Sequence, residues 1–84
     1  MNNDMFLFSK NNTQRRYNSA EGAFRQAYDE WERITTNKGE MGERQARQRL
    51  SFAAQHLLNV AREGRMYGII NNPQSESLAR KYEM

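Results

Sequence analysis

The sequence predicts a mainly α-helical chain, built as an antiparallel helical hairpin with a short C-terminal helix. Apolar residues recur at helical spacing in two long segments, within residues 18–37 and within residues 41–63. The short segment between them carries Gly39 and Gly42, and glycine is typical of helix ends. A connection this short makes two helices antiparallel neighbours. With 84 residues in total, we expect a single small domain over residues 18–84.

The first helix is predicted to begin at Asn18, because Asn18 and Glu21 have the spacing of a capping box. Its apolar residues share one face at about 100° per residue; they are Ala20, Phe24, Ala27, Tyr28, Trp31 and Ile34. The residues before Asn18 are polar and rich in asparagine from position 9 onward. Residues 1–17 are therefore predicted to form an N-terminal extended segment or arm.

The second helix is predicted from about Met41 to Glu63, with Gly64 as its C-terminal cap. Its apolar stripe consists of Ala46, Leu50, Ala53, Leu57, Val60 and Ala61. The alanines allow the first helix to approach closely, and the large residues of the first helix supply the volume opposite them. We expect the core to centre on four residues, Phe24, Trp31, Leu50 and Leu57.

Two short apolar runs, Met5–Phe8 and residues 66–70, have the composition of strands. They could pair as a small two-stranded β-ribbon, or both could be extended segments packed on the helices. After the turn at Asn72-Pro73, a short helix is predicted from Gln74 to Tyr82 with Ser75 or Ser77 as its cap.

So few elements should leave part of the apolar surface uncovered. The residues expected in that strip include Leu58 and either Ile69 or Ile70. An uncovered apolar strip on a small domain predicts self-association or a partner. We therefore expect a homodimer or a complex.

Composition argues against several classes of function. The chain has no cysteine and one histidine, so neither disulfides nor a thiolate or histidine-rich metal site is expected. No glycine spacing matches a phosphate-binding loop, and no cofactor is expected. Because no nucleophile lies within helical reach of His56, enzymatic activity is not expected either. No apolar stretch approaches a membrane span or a signal peptide, which favours a cytoplasmic protein.

A side ridge on the second helix carries the candidate partner-binding residues, Gln45, Arg49, Phe52 and His56. Three interpretations are open. Phe52 could pack under residues 65–84 or under the N-terminal arm, with Arg49 extended over it. The ridge could instead anchor a protein partner, since aromatic and arginine residues are enriched at such contacts. It could also contact nucleic acid through arginine on phosphate and an aromatic ring on a base.

The basic residues form the alternative candidate site, for nucleic acid; they are Arg15, Arg16, Lys38, Arg44 and Arg47. The net charge is only +3, and residues 18–37 are acidic, so the signal for a polyanion partner is weak. A solvated surface explains these charges equally well. They could form one basic edge only if the arm lies near the turn between the helices.

From these observations we expect a small non-enzymatic regulator or inhibitor that docks on a partner protein or ribonucleoprotein. In size and composition the chain resembles the small accessory proteins of phages and mobile elements, such as counter-defence inhibitors. The first alternative is direct binding of RNA or DNA, with RNA favoured over DNA. The second alternative is a structural subunit of a larger assembly.

Overall fold

The computed structural model describes residues 2–37 and 42–83, with side chains from Asp4 onward. Within these ranges there are three α-helices: α1 (Asn2–Thr36), α2 (Glu43–Gly64) and α3 (Pro73–Arg80). A single 3-10 turn, Arg65–Tyr67, follows α2 directly. The predicted mainly helical hairpin is confirmed. The predicted β-ribbon is wrong, because the described residues include no strand.

Helix α1 is continuous through the segment predicted to be an extended arm, so the predicted start at Asn18 is wrong. Thr13 and Tyr17 are buried on the same face as Ala20 and Phe24, which extends the apolar stripe towards the N-terminus. No proline or glycine interrupts the chain before Gly22. Burial of this stripe therefore outweighs the weak helix propensity of the asparagines.

Two ion pairs define the antiparallel register of α1 and α2. Arg16 on α1 lies 2.8 Å from Glu63 on α2, and Arg49 on α2 pairs with Glu30 on α1. Between these pairs the core is fully buried; its largest side chains are Tyr17, Phe24, Leu50, Leu57 and Val60. Phe24, Leu50 and Leu57 were predicted as the core centre, whereas Trp31 is only half-buried at its margin.

The two runs predicted to pair as strands do meet, but through side chains. Phe6 on α1 lies against Tyr67 of the 3-10 turn, with 5.5 Å between ring centroids. A helix satisfies its own backbone hydrogen bonds, so Met5–Phe8 offers no edge to a second strand. The 3-10 turn ends at Gly68, whose φ of 67° lies in the left-handed region.

Burial in the segment after α2 differs from the expected uncovered strip. Leu58 is buried, so its prediction as an uncovered residue is wrong. Of the two alternatives Ile69 and Ile70, Ile69 is buried. Ile70 is 80% exposed, as predicted. The Gln14 side chain on α1 holds this segment by donating to the Ile70 carbonyl (3.0 Å) and accepting from its N–H (2.6 Å).

Helix α3 begins one residue earlier than predicted, and its cap is Asn72, not Ser75 or Ser77. The Asn72 side chain accepts from the N–H groups of Gln74 and Ser75, and Pro73 occupies the first helical position. Proline suits that position because its missing N–H would have no helical partner there. The predicted serine cap failed because Ser75 is fully buried inside α3.

A buried polar network attaches α3 to α1. The Tyr17 hydroxyl donates to the Glu76 carboxylate (2.6 Å) and accepts from the Asn72 N–H (2.8 Å). One turn along α1, the Glu21 carboxylate accepts from the Asn72 amide (2.6 Å) and from the Ser75 hydroxyl (2.7 Å). Burial, with the hydrogen bond to Glu76, raises the pKa of Tyr17 to about 12.

We expect Gly64→Ala to destabilise the protein and Gly22→Ala to stabilise it. A Cβ at Gly64 would stand 2.6 Å from Cγ1 of the buried Ile69, whereas nothing lies within 4 Å of a Cβ at Gly22. Overpacking costs about 1–3 kcal/mol. Alanine in place of helical glycine gains roughly 0.5–1 kcal/mol. Urea unfolding followed by circular dichroism measures the change in the free energy of unfolding for each variant. The prediction requires the two changes to have opposite signs.

The Tyr17 network should make stability fall at alkaline pH. Its pKa is about 12 in the folded protein and 10.0 in its ordinary state. A raised folded pKa contributes stability that is complete below pH 10.0 and is lost as pH rises through about 12. Tyr17→Phe removes this contribution, and at neutral pH it costs about 1–3 kcal/mol because Glu76 loses a donor. Urea unfolding from pH 9 to 12 compares the two proteins, and a constant stability difference would contradict this assignment.

Candidate protein-docking surface

Helix α3 and the segment before it cover only one flank of the α1–α2 hairpin. On α1 they contact Tyr17, Glu21 and Arg25, and Arg25 donates to the Ser75 hydroxyl (2.7 Å). On α2 the chain after α3 reaches Arg47, which donates to the Tyr82 carbonyl (3.2 Å). None of the described residues outside α1 and α2 covers the opposite flank in this way. We call it the open flank; it comprises Gln45, Arg49, Phe52 and His56 of α2 with Arg16, Ala23 and Glu30 of α1.

The four candidate partner-binding residues share one exposed stripe on the open flank. Gln45, Arg49, Phe52 and His56 follow one another at helical spacings of three and four, and all are exposed. Phe52 is 63% exposed at the middle of the stripe. The interpretation that Phe52 packs under the terminal segment or the N-terminal arm is therefore wrong. Both segments are held elsewhere, α3 by Tyr17 and the N-terminal residues by their place in α1.

Charges on the open flank are paired across the hairpin. Arg49 donates to the Glu30 carboxylate, and Arg16 lies 2.8 Å from Glu63 at the other end of the flank. Such exposed pairs contribute only about 0–1 kcal/mol to stability. Their effect on recognition is larger, because each arginine is already balanced by a carboxylate. The open flank therefore exposes the aromatic ring of Phe52 among polar groups whose charges are balanced.

Polar side chains flank Phe52 along α2, with Arg49 on one side and His56 on the other. In the register that the two ion pairs define, Ala27 and Ala23 are the α1 residues level with Phe52 and His56. Ala23 is exposed and Ala27 is half-buried. The ring of Phe52, 63% exposed, is the large apolar group of this stripe. An exposed aromatic ring suits insertion into a pocket of another protein.

The arginines of the alternative nucleic-acid site do not assemble. Arg47 is half-buried and donates to the Ser51 hydroxyl and the Tyr82 carbonyl. Its guanidinium lies 5.0 Å from the ring centroid of Tyr82 and 5.9 Å from that of Trp31. Arg44 is exposed beside an open groove of about 540 Å³, and Lys38 lies outside the described residues. Arg47 is thus committed to holding the C-terminal residues.

The other two members, Arg15 and Arg16, lie at the opposite end of the hairpin. Arg16 is level with Glu63, and at about 1.5 Å per residue along α2 this is roughly 24 Å from Arg47. Arg15 is one residue away from Arg16 and so points about 100° away from it. The condition for a single basic edge, an arm near the interhelix turn, is not met.

Sequence reasoning missed the residues that decide which flank is covered, chiefly Tyr17, Glu21, Arg25 and Glu76. Tyr17 and Glu76 are 59 positions apart, so no local spacing relates them. The available signal was Tyr17 itself, an aromatic residue in a polar segment and in helical phase with Phe24.

Neither a metal centre nor a membrane span is present in the described part of the chain. No three histidine or acidic side chains there come close enough to hold a metal ion. None of the described helices combines the length and the apolar character needed to cross a bilayer.

Comparison with protein-family models, with curated proteins and with solved structures finds no match.

We expect Phe52→Ala to change the free energy of unfolding by less than about 1 kcal/mol, because most of the ring is already in water. Leu57→Ala, at a fully buried position on the same helix, should cost about 2–5 kcal/mol. Chemical denaturation of both variants tests the contrast. Equal losses would place Phe52 in the core and contradict the open flank.

Proposed function

We propose that this chain is a small non-enzymatic regulator or inhibitor that docks on a partner protein through its open flank. The observation that carries the proposal is the exposure of Phe52, 63% of whose surface is open to solvent at the middle of α2. A large aromatic ring exposed in this way contributes nothing to the core. Aromatic residues with arginine nearby are enriched among the residues that dominate binding energy.

The setting of Phe52 indicates the chemistry of the partner. The two arginines of the open flank, Arg49 and Arg16, are each paired with a carboxylate, so the flank has no excess positive charge to bind phosphates. The partner should therefore present an apolar pocket for the ring, with polar groups around it for Gln45 and His56. The Glu30–Arg49 pair can exchange hydrogen bonds with such a rim without leaving a charge unpaired.

Stabilising features of the fold support a binding role for this flank. The α3 flank is closed by a buried hydrogen-bond network, whereas the open flank consists of two regular helix surfaces. A pair of rigid helices presents side chains with little loss of conformational freedom on binding. The ridge is therefore preorganised for docking.

Direct nucleic-acid binding stays the alternative hypothesis, and salt distinguishes the two. Binding that depends on phosphates weakens linearly on a log–log plot, with a slope of about −0.9 per phosphate for duplex DNA and about −0.7 for single strands. Insertion of Phe52 into an apolar pocket should depend much less on salt. A structural subunit would instead form defined higher oligomers with no added ligand.

The test is affinity capture from the source cells with the wild-type protein and the variant Phe52→Ala/His56→Ala, after nuclease treatment and at low and high salt. We expect a stoichiometric protein partner that the wild type retains at high salt and that the double variant loses. The matched control is Met66→Ala, which removes another exposed apolar side chain away from the open flank.

Two results would contradict the proposal. One is a partner that is lost equally with the Met66 control. The other is a bound nucleic acid that nuclease removes and that Phe52→Ala/His56→Ala still binds. In the second case, the slope of log affinity against log salt concentration would be measured for the wild type and for Arg15→Ala/Arg44→Ala. The difference between the two slopes would show how many phosphates these arginines contact.

A further inference from the structure

A second exposed surface lies on the part of α1 that runs past the end of α2. Five exposed residues, spaced so that they share one face of α1, define it; they are Asp4, Leu7, Phe8, Asn11 and Arg15. Leu7 is 52% exposed and Phe8 is 73% exposed. The face points away from the core side of α1, on which Thr13 and Tyr17 are buried. We call it the back face.

The two ends of the back face carry opposite charges. Asp4 and Arg15 are about three helical turns apart, at about 3.6 residues per turn, and therefore point in nearly the same direction. In the described part of the chain neither has an ion-pair partner, whereas the neighbouring Arg16 is paired with Glu63. The apolar side chains of Leu7 and Phe8 lie between these two unpaired charges.

We propose that the back face binds a second copy of this chain, with the two α1 helices antiparallel. Reversing one copy brings Asp4 of each protomer opposite Arg15 of the other, so the Asp4–Arg15 pair forms twice, once on each side of the two-fold axis. The same reversal brings Phe8 of each copy level with Asn11 of the other and Leu7 level with Asn12. The two Phe8 rings are then offset by only about 4.5 Å along the axis, at about 1.5 Å per residue, and can pack diagonally across it. A pattern that complements its own reverse is the requirement of a two-fold symmetric interface.

The charge order selects this arrangement over a parallel one. In a parallel pair in the same register, Asp4 would face Asp4 and Arg15 would face Arg15, and both contacts would be repulsive. A contact of three helical turns is small beside the roughly 800 Å² per partner of a standard interface. The dimer should therefore dissociate on dilution.

The dimer would present two open flanks on the same side. Its two-fold axis is perpendicular to the plane of the paired helices, and the open flank and the α3 flank lie on opposite sides of that plane. Both Phe52 rings would then face one way, roughly 50 Å apart at about 1.5 Å per residue along α1. This consequence rests on the proposed function, but the dimer itself does not.

Charge reversal tests the pairing by sedimentation equilibrium over a range of protein concentrations at low salt. Asp4→Arg alone and Arg15→Asp alone should each weaken the dimer by roughly tenfold or more, since each makes two repulsive contacts. The double variant Asp4→Arg/Arg15→Asp should recover dimerisation. Fraying of the first turn in Asp4→Arg would not be reversed by a change at Arg15, so recovery reports pairing between copies.

Substitutions of exposed apolar residues distinguish the back face from other candidate dimer interfaces. Phe8→Asp should abolish the dimer and leave the helical circular dichroism signal intact, because the ring is exposed. Phe52→Ala should leave the dimer unchanged and still lose the partner protein, which distinguishes the failure of one proposal from failure of the other. If Phe52→Ala or Ile70→Ala breaks the dimer and Phe8→Asp does not, the back face is not the interface.

Cysteine cross-linking tests the direction of the helices, since the chain has no cysteine of its own. Asp4→Cys mixed with Arg15→Cys should give a disulfide-linked heterodimer under mild oxidation. Asp4→Cys alone should not cross-link, because its two copies would lie roughly 17 Å apart along the axis, at about 1.5 Å per residue. Cross-linking of Asp4→Cys alone, or a monomer at every concentration, would overturn the proposal.

Discussion

The buried hydroxyl of Tyr17 is the contact on which the arrangement of the C-terminal third depends. It donates to Glu76 of α3 and accepts from the backbone of Asn72, which in turn caps α3. A buried carboxylate without a hydrogen-bond donor is strongly unfavourable. The position of the Tyr17 hydroxyl therefore determines where Glu76 of α3 lies against α1. One turn of α1 further along, Glu21 repeats the attachment through Asn72 and Ser75.

This attachment makes the two flanks of the hairpin unequal. Polar side chains of α1 and the guanidinium of Arg47 hold α3 and the residues after it on one flank. Residues that the hairpin alone would expose, such as Leu58, are thereby buried. Phe52 stays 63% exposed, because the described contacts that hold the terminal segment lie on the other flank. The surface proposed for docking is therefore a consequence of where α3 is attached.

Arg16, Arg47 and Arg49 stabilise the fold and do not form a common basic surface. Arg16 and Arg49 connect the helices through Glu63 and Glu30, and the guanidinium of Arg47 lies over the rings of Trp31 and Tyr82. The mild positive net charge of +3 is thus dispersed and not concentrated. A protein partner fits this distribution better than a polyanion does. Two-fold pairing through the back face would add a second Phe52 to the same contact, and two linked sites bind more tightly than one.

The sequence by itself determined the helical class, the hairpin, most of α2, and the single stripe on which Gln45, Arg49, Phe52 and His56 lie, but not whether that stripe is exposed. These follow from local periodicity, from glycine at the helix ends and from the short connection. Tertiary structure decided the rest. The asparagine-rich residues before Asn18 are helical because Thr13 and Tyr17 are buried there, and Met5–Phe8 meets Tyr67 through side chains. The flank that α3 covers depends on hydrogen bonds between residues more than fifty positions apart, and local spacing carries no information about such contacts.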